Sequence, residues 1–171
     1  KIVAGMPGRV ACAERVAMLE IPAPHHRSKG DLHAAGNPHY MVDPLTRKIA
    51  ATHICDTFCK LDMSSCEVFR ANLAKFNARI DAKMAEWENL MAPFKGRREV
   101  AYHNSWPYFS QRFGVKIDLF LEPKPGIPPT PASLAGVIAA MKAGSVNVIL
   151  CEPHLNHKTA ETVAKDTGAT L

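Results

Sequence analysis

The stretch EVAYHNSWPYFSQRFGVKIDLFLE, residues 99–122, spells one strand, one helix and a second strand. Residues 99–102 read as a strand, residues 106–113 as a short helix stopped by Gly114, and residues 116–121 as the next strand. The alternation continues beyond it. Residues 131–143 read as a helix opened by Thr130 and closed by Gly144, and residues 146–151 as a continuous apolar strand. Residues 157–167 read as a helix closed by Gly168, and residues 169–171 as the start of another strand. Repeated β-α-β-α implies a parallel sheet covered by helices, so the fold class is α/β. In such sheets ligands bind beyond the carboxyl ends of the strands. His103 and Asn104 follow the first strand, Glu122 the second and Glu152 the third.

The first half is helical. Asp43 is a good N-cap with Pro44 at the first helical position. Leu45, Ile49, Ile54, Phe58 and Leu61 mark the buried face of a helix ending near Leu61. A second helix is expected from Ser64, where Ser64-Ser-Cys-Glu67 has the capping-box pattern. Phe69, Leu73, Phe76, Ile80, Met84, Trp87 and Met91 recur at spacings of three and four, and Pro93 ends the run. This helix exceeds the mean of about 11–12 residues, a length suited to bridging two lobes. Residues 11–19 could form a further helical segment, while Pro22, Pro24 and Gly30 punctuate the rest of the first thirty residues. The division expected is residues 1–63 as one lobe, 64–92 as a linking helix and 93–171 as a β-α-β-α lobe.

The chain of 171 residues is 47% hydrophobic and 22% charged, the composition of an ordinary globular protein. Its net charge is +5, but Lys and Arg are scattered and the only short basic cluster is Lys95-Gly-Arg97-Arg98. No nucleic-acid partner is expected. No apolar run approaches the ~20 residues needed to span a bilayer. The chain starts Lys-Ile-Val-Ala-Gly, with no signal-peptide pattern, and reads as a processed form or a fragment. The five cysteines include no CxxC pair; Cys55 and Cys59 share a helical face, and most are expected to be buried and structural. HExxH, GxSxG, P-loop and GxGxxG motifs are all absent.

The residues with metal chemistry are histidines. His39 follows Asn37-Pro38 on a loop that Pro38 stiffens, just before a helix begins. His103 ends a strand. Neutral imidazole is the commonest protein ligand for zinc-like ions. Either histidine alone is readily explained as a structural one; together, from either side of a bridging helix, they make an interlobe metal site. Glu122 could orient a ligand histidine or be a solvated strand-end charge, and Glu152 has the same choice with a weaker case. His25, His26 and His33 could form an auxiliary metal-collecting site or merely a polar loop. His53 reads as structural, and His154 and His157 as the exposed start of the last helix.

With these residues in view, the chain resembles the periplasmic metal-binding proteins of zinc and manganese ABC importers, the cluster A-I solute-binding proteins. The matching motifs are Gly30-Asp-Leu-His33, Gly36-Asn-Pro-His39-Tyr40, Asp43-Pro44, Tyr102-His103-Asn-Ser-Trp106, Tyr108-Phe109, Phe120-Leu-Glu-Pro-Lys-Pro-Gly-Ile-Pro-Pro-Thr-Pro131 and Glu161-Thr-Val-Ala-Lys-Asp-Thr-Gly168. The resemblance implies two parallel-sheet lobes joined by one long rigid helix, with the first lobe and the end of the second incomplete here. It implies a metal held between the lobes by four side chains. His39 matches the second of these and His103 the third. An early histidine and a late carboxylate have no counterpart in this chain, so weak zinc binding is expected of it as it stands. Histidine at the third position favours zinc over manganese.

The implied role is non-enzymatic: capture of zinc outside the cytoplasm, as a monomer, and delivery to an ABC permease at the membrane. Manganese is the alternative ion. A metal-dependent hydrolase and an adhesin on the same fold are the alternative functions.

Overall fold

The computed structural model describes residues 3, 5–22, 35–124 and 126–171. The described chain divides into two compact units. One takes the described parts of Lys1–Met18 and Tyr40–Pro93, the other those of Leu19–His39 and Phe94–Leu171.

The first unit is built on two helices, α1 (Pro44–Leu61) and α2 (Cys66–Met91). Asp43 starts α1: its Oδ1 accepts from the Leu45 N–H at 2.9 Å, and Pro44 has no N–H to leave unpaired. The helices pack against each other, with Phe58 edge-on to Phe69 at 5.5 Å and Lys48 paired to Asp81 at 2.5 Å. Ile80 and Met84 of α2 are buried.

Three local expectations fail here. Of the residues expected on the buried face of α1, Ile49, Phe58 and Leu61 are exposed, and the buried positions are Pro44, Thr46, Ala50 and Cys55. The capping box at Ser64 does not form; α2 begins two residues later, and its N-cap Ser65 makes no side-chain cap bond. Asp62 organises the turn instead, accepting from the Ser64 hydroxyl at 2.6 Å and the Ser65 N–H at 3.2 Å. These bonds hold its carboxyl below the usual range. A Cys59–Cys66 disulfide joins the last turn of α1 to the first residue of α2, fixing where α2 starts. Residues 11–19 form turns rather than a helix. Glu14 and Val16 donate only to Ala11 O and Ala13 O, three residues back, both at 2.9 Å. Leu19 is drawn out of any helix because its N–H donates to the Tyr108 hydroxyl and its C=O accepts from Asn37 N.

The second unit is the α/β alternation. In order come β1 (Arg98–Ala101), α3 (Pro107–Phe113), β2 (Lys116–Phe120), α4 (Pro131–Ala143), β3 (Ile149–Leu150) and α5 (His157–Thr167). The three strands are parallel in the order β2-β1-β3, so β1 is central and the chain crosses it between β2 and β3. β3 is shorter than the apolar run predicts; just before it Val148 still accepts from the Val100 N–H at 3.1 Å and, on the side away from β1, forms a parallel bridge with Thr170. Gly114 ends α3 at φ 72°, and a Cβ there would lie 2.9 Å from Lys95 Cγ. Thr130 and Ser133 form a reciprocal capping box on α4. Val100, Leu121, Met141, Ile149 and Val163 are fully buried between sheet and helices. Among the described residues no helix is long and apolar enough to cross a membrane.

Candidate metal centre

The carboxyl end of the sheet gathers the site residues. β1 runs out into Tyr102 and His103, and β2 into Leu121 and Glu122. The ladder continues past the strands: Leu121 N donates to Ala101 O at 3.0 Å and Glu122 N to Tyr102 O at 2.9 Å. This register sets His103 beside Glu122. His103 Nδ1 donates to Glu122 Oε2, and the side chains are 20% and 12% exposed. Glu122 Oε1 accepts from the Gly126 N–H at 2.7 Å, which fixes the carboxylate. An ionised carboxylate only accepts, so the ring proton stands on Nδ1 and the lone pair of the neutral imidazole on Nε2. This is the arrangement in which a carboxylate orients a histidine for a metal.

His39 lies against His103 in the same unit. Their ring centroids are 5.2 Å apart and the planes cross at 75°. Asn37 shapes the His39 loop, its Oδ1 accepting the His39 N–H at 3.0 Å in a tight side-chain turn. Asn37 is buried, and its carbonyl accepts from the Tyr108 hydroxyl at 2.8 Å. Two imidazoles this close can share a borderline ion such as zinc. Among the described residues, no group of three or more His, Cys, Asp and Glu is assembled to hold one. His25, His26 and His33 lie outside the described residues.

Electrostatics at this end of the sheet disfavour further ionisation. Burial pushes the Tyr102 phenol up, and the Glu122 charge adds to that. Burial and the neighbouring Glu152 push the Cys151 thiol up. Both Glu152 carboxylate oxygens are buried with no hydrogen-bond partner among the described residues. His157, the first residue of α5, turns Nε2 to Glu152 O at 3.1 Å, while His53 is within α1. Glu20 belongs to the neighbourhood too: its Oε2 accepts from Asn37 Nδ2 at 2.9 Å and Asn104 Nδ2 at 2.8 Å. Nothing in its sequence context signals that: both partners lie in the matching motifs, but Glu20 does not, and they are 17 and 84 residues away from it.

A family model described as "Zinc-uptake complex component A periplasmic" matches residues 2–171. Among curated proteins, the high-affinity zinc uptake system protein ZnuA of Brucella abortus (strain 2308) is 26% identical over 131 residues, covering 77% of this chain and 39% of the relative. The chain therefore spans about two fifths of that relative's length. A crystal structure of ZnuA superimposes with a TM-score of 0.79 at 23% identity, over 94% of this chain and 58% of that one. A ZnuA deletion mutant with zinc bound gives a TM-score of 0.77 at 24% identity, over the same shares. At these identities the structural likeness establishes the fold, mixed helix and parallel sheet, over part of the length of those chains.

Proposed function

We propose, because the chain belongs to the periplasmic zinc-uptake component A family, that it is part of an extracytoplasmic protein that captures zinc and passes it to an ABC permease. The observation that carries this reading is the His39–His103 pair with Glu122 on His103 Nδ1. His39 and His103 would supply imidazole donors, His103 through Nε2, and Glu122 would hold the His103 ring through Nδ1. Zinc is favoured over manganese because both paired donors are imidazoles, whereas manganese prefers oxygen.

The role is binding and release rather than catalysis; the family's proteins are transport components. The Cys59–Cys66 disulfide supports an oxidising compartment. The division into residues 1–63, a linking helix over 64–92 and residues 93–171 is part of this proposal, with the described parts of Leu19–His39 counted with residues 94–171, as in the compact units. Permease and monomeric state belong to the same proposal.

Calorimetric titration with zinc tests it. Replacing His39 or His103 by Ala is expected to weaken zinc binding at least about tenfold in each case, since each removes a donor. Affinity unchanged in both variants would refute the assignment.

A further inference from the structure

We propose that Glu20 is a positioning residue that locks the loop carrying His39 to the loop carrying His103. The proposal rests on the zinc reading for its purpose, though not for its geometry.

One carboxylate oxygen makes both contacts. Glu20 Oε2 accepts from the side-chain amides of Asn37 and Asn104, at 2.9 and 2.8 Å. Asn104 is the residue after His103, and Asn37 is two residues before His39. Asn37 transmits the tie in both directions. Its Oδ1 takes the His39 N–H, and its Nδ2 also donates to Asn104 O at 3.0 Å. Its backbone is pinned as well, N–H to Leu19 O at 2.8 Å and C=O to the Tyr108 hydroxyl at 2.8 Å. That hydroxyl in turn accepts from Leu19 N at 3.0 Å. Every polar group of Asn37 is thus committed, and residues 19 and 20 hold it from one side while Asn104 holds it from the other.

The backbone at Glu20 carries a second, independent sign. Its φ is 55°, one of two non-glycine residues among those described in the left-handed region. Such conformations persist where surrounding contacts over-determine them. Here they turn the Glu20 carboxylate back onto the two amides. The ligand loops are therefore set at a fixed spacing before any ion arrives, which lowers the ordering that binding must supply.

The chemistry predicts which substitution is tolerated. Both contacts go to one oxygen, so a glutamine carbonyl can accept both, and charge is not required. Glu20→Gln is expected to keep the tie, Glu20→Ala to cut it, and Asn104→Ala to cut the same tie from the other end. Two readouts are taken on the chain. Cobalt(II), bound in place of zinc, reports ligand geometry by its visible absorption and its dissociation rate. Hydrogen exchange at the His39 N–H reports loop order without metal. In Glu20→Ala and Asn104→Ala, cobalt dissociation is expected to rise about tenfold with a changed spectrum, and exchange to rise about tenfold. Glu20→Gln should remain within about twofold of the parent in both. The double variant should be no worse than either single one, because the two changes break one connection. Parent-like behaviour of Glu20→Ala in exchange, equal damage from Ala and Gln, or multiplicative damage in the double variant would each overturn the proposal. If the parent chain takes up neither cobalt nor zinc while the exchange pattern holds, the zinc reading falls and the positioning role stands.

Discussion

Glu99 shows how one side chain sets a pH dependence in this fold. It lies on the central strand, 5% exposed, with Oε2 buried and without a hydrogen-bond partner among the described residues. Burial pushes its carboxyl up; the Arg97 guanidinium, with Nε 3.7 Å from Oε1, and a backbone contact at Val148 pull it only partly back. A carboxyl raised in the folded state binds its proton more tightly there than in the unfolded chain. Its contribution to stability is therefore complete below the ordinary glutamate pKa and is lost as pH rises through the raised value. Glu99→Gln, which stays neutral, is expected to be more stable than the parent at pH 7 by about 1 kcal/mol, with the difference gone below about pH 4. Urea melts of both proteins between pH 3 and 8 check the sign. Glu122 carries the complementary case at the site: Glu122→Gln preserves shape but removes the charge facing His103 Nδ1. Zinc affinity should fall about tenfold with the melt little changed, as for other carboxylates behind ligand histidines.

At the scale of elements, the junctions between helices hold the testable energetics. Replacing Asp43 by Ala leaves the Leu45 N–H at the start of α1 without its acceptor and should cost about 1 kcal/mol in a thermal melt, with Asn restoring most of it. Reducing Cys59–Cys66 opens a loop of seven-residue separation. That is expected to lower stability by ~2–3 kcal/mol on the chain-entropy estimate, read by melts with and without reductant. The two junctions differ in how much the sequence reveals. Asp43-Pro44 is unambiguous, because Pro at the first helical position and Asp before it serve the same end. Ser64 to Glu67 carries an equally good local pattern, but the disulfide and the Asp62 turn displace the start of α2 to Cys66. Local propensity cannot see a covalent constraint whose pairing the spacing leaves open. Residues 11–19 fail for a related reason: the partners of Leu19 are Asn37 and Tyr108, remote in sequence. The β-α-β-α alternation was legible because each strand and helix carries its own stop signal.

For the molecule as a whole, the site was legible only as parts. Strand-end positions made His103 and Glu122 candidates, and the Asn-Pro-His loop made His39 one. Their meeting depends on a parallel register and on the Asn37 turn, both tertiary. Glu20 had no signal, since its function lies in a left-handed backbone and two remote amides. The division into two units makes the energetic consequence of metal binding separable. The chain has two tryptophans, and each unit holds one, Trp87 on α2 and Trp106 just before α3. In a Trp87→Phe chain, fluorescence reports unfolding of the unit that carries His39 and His103. A ligand that binds only the folded form adds RT ln(1 + [L]/Kd) to its stability, ~2.7 kcal/mol at about 100 times Kd. Zinc at that excess is expected to raise the Trp106-reported stability by this amount, and combined replacement of His39 and His103 by Ala should abolish the gain. Since Trp106 is three residues from His103, quenching by bound ion could mimic a shift in signal level. The midpoint of the urea transition, rather than its amplitude, is therefore the quantity that decides. A midpoint that zinc leaves unmoved in the parent would show that the histidine pair does not bind the ion in its folded state.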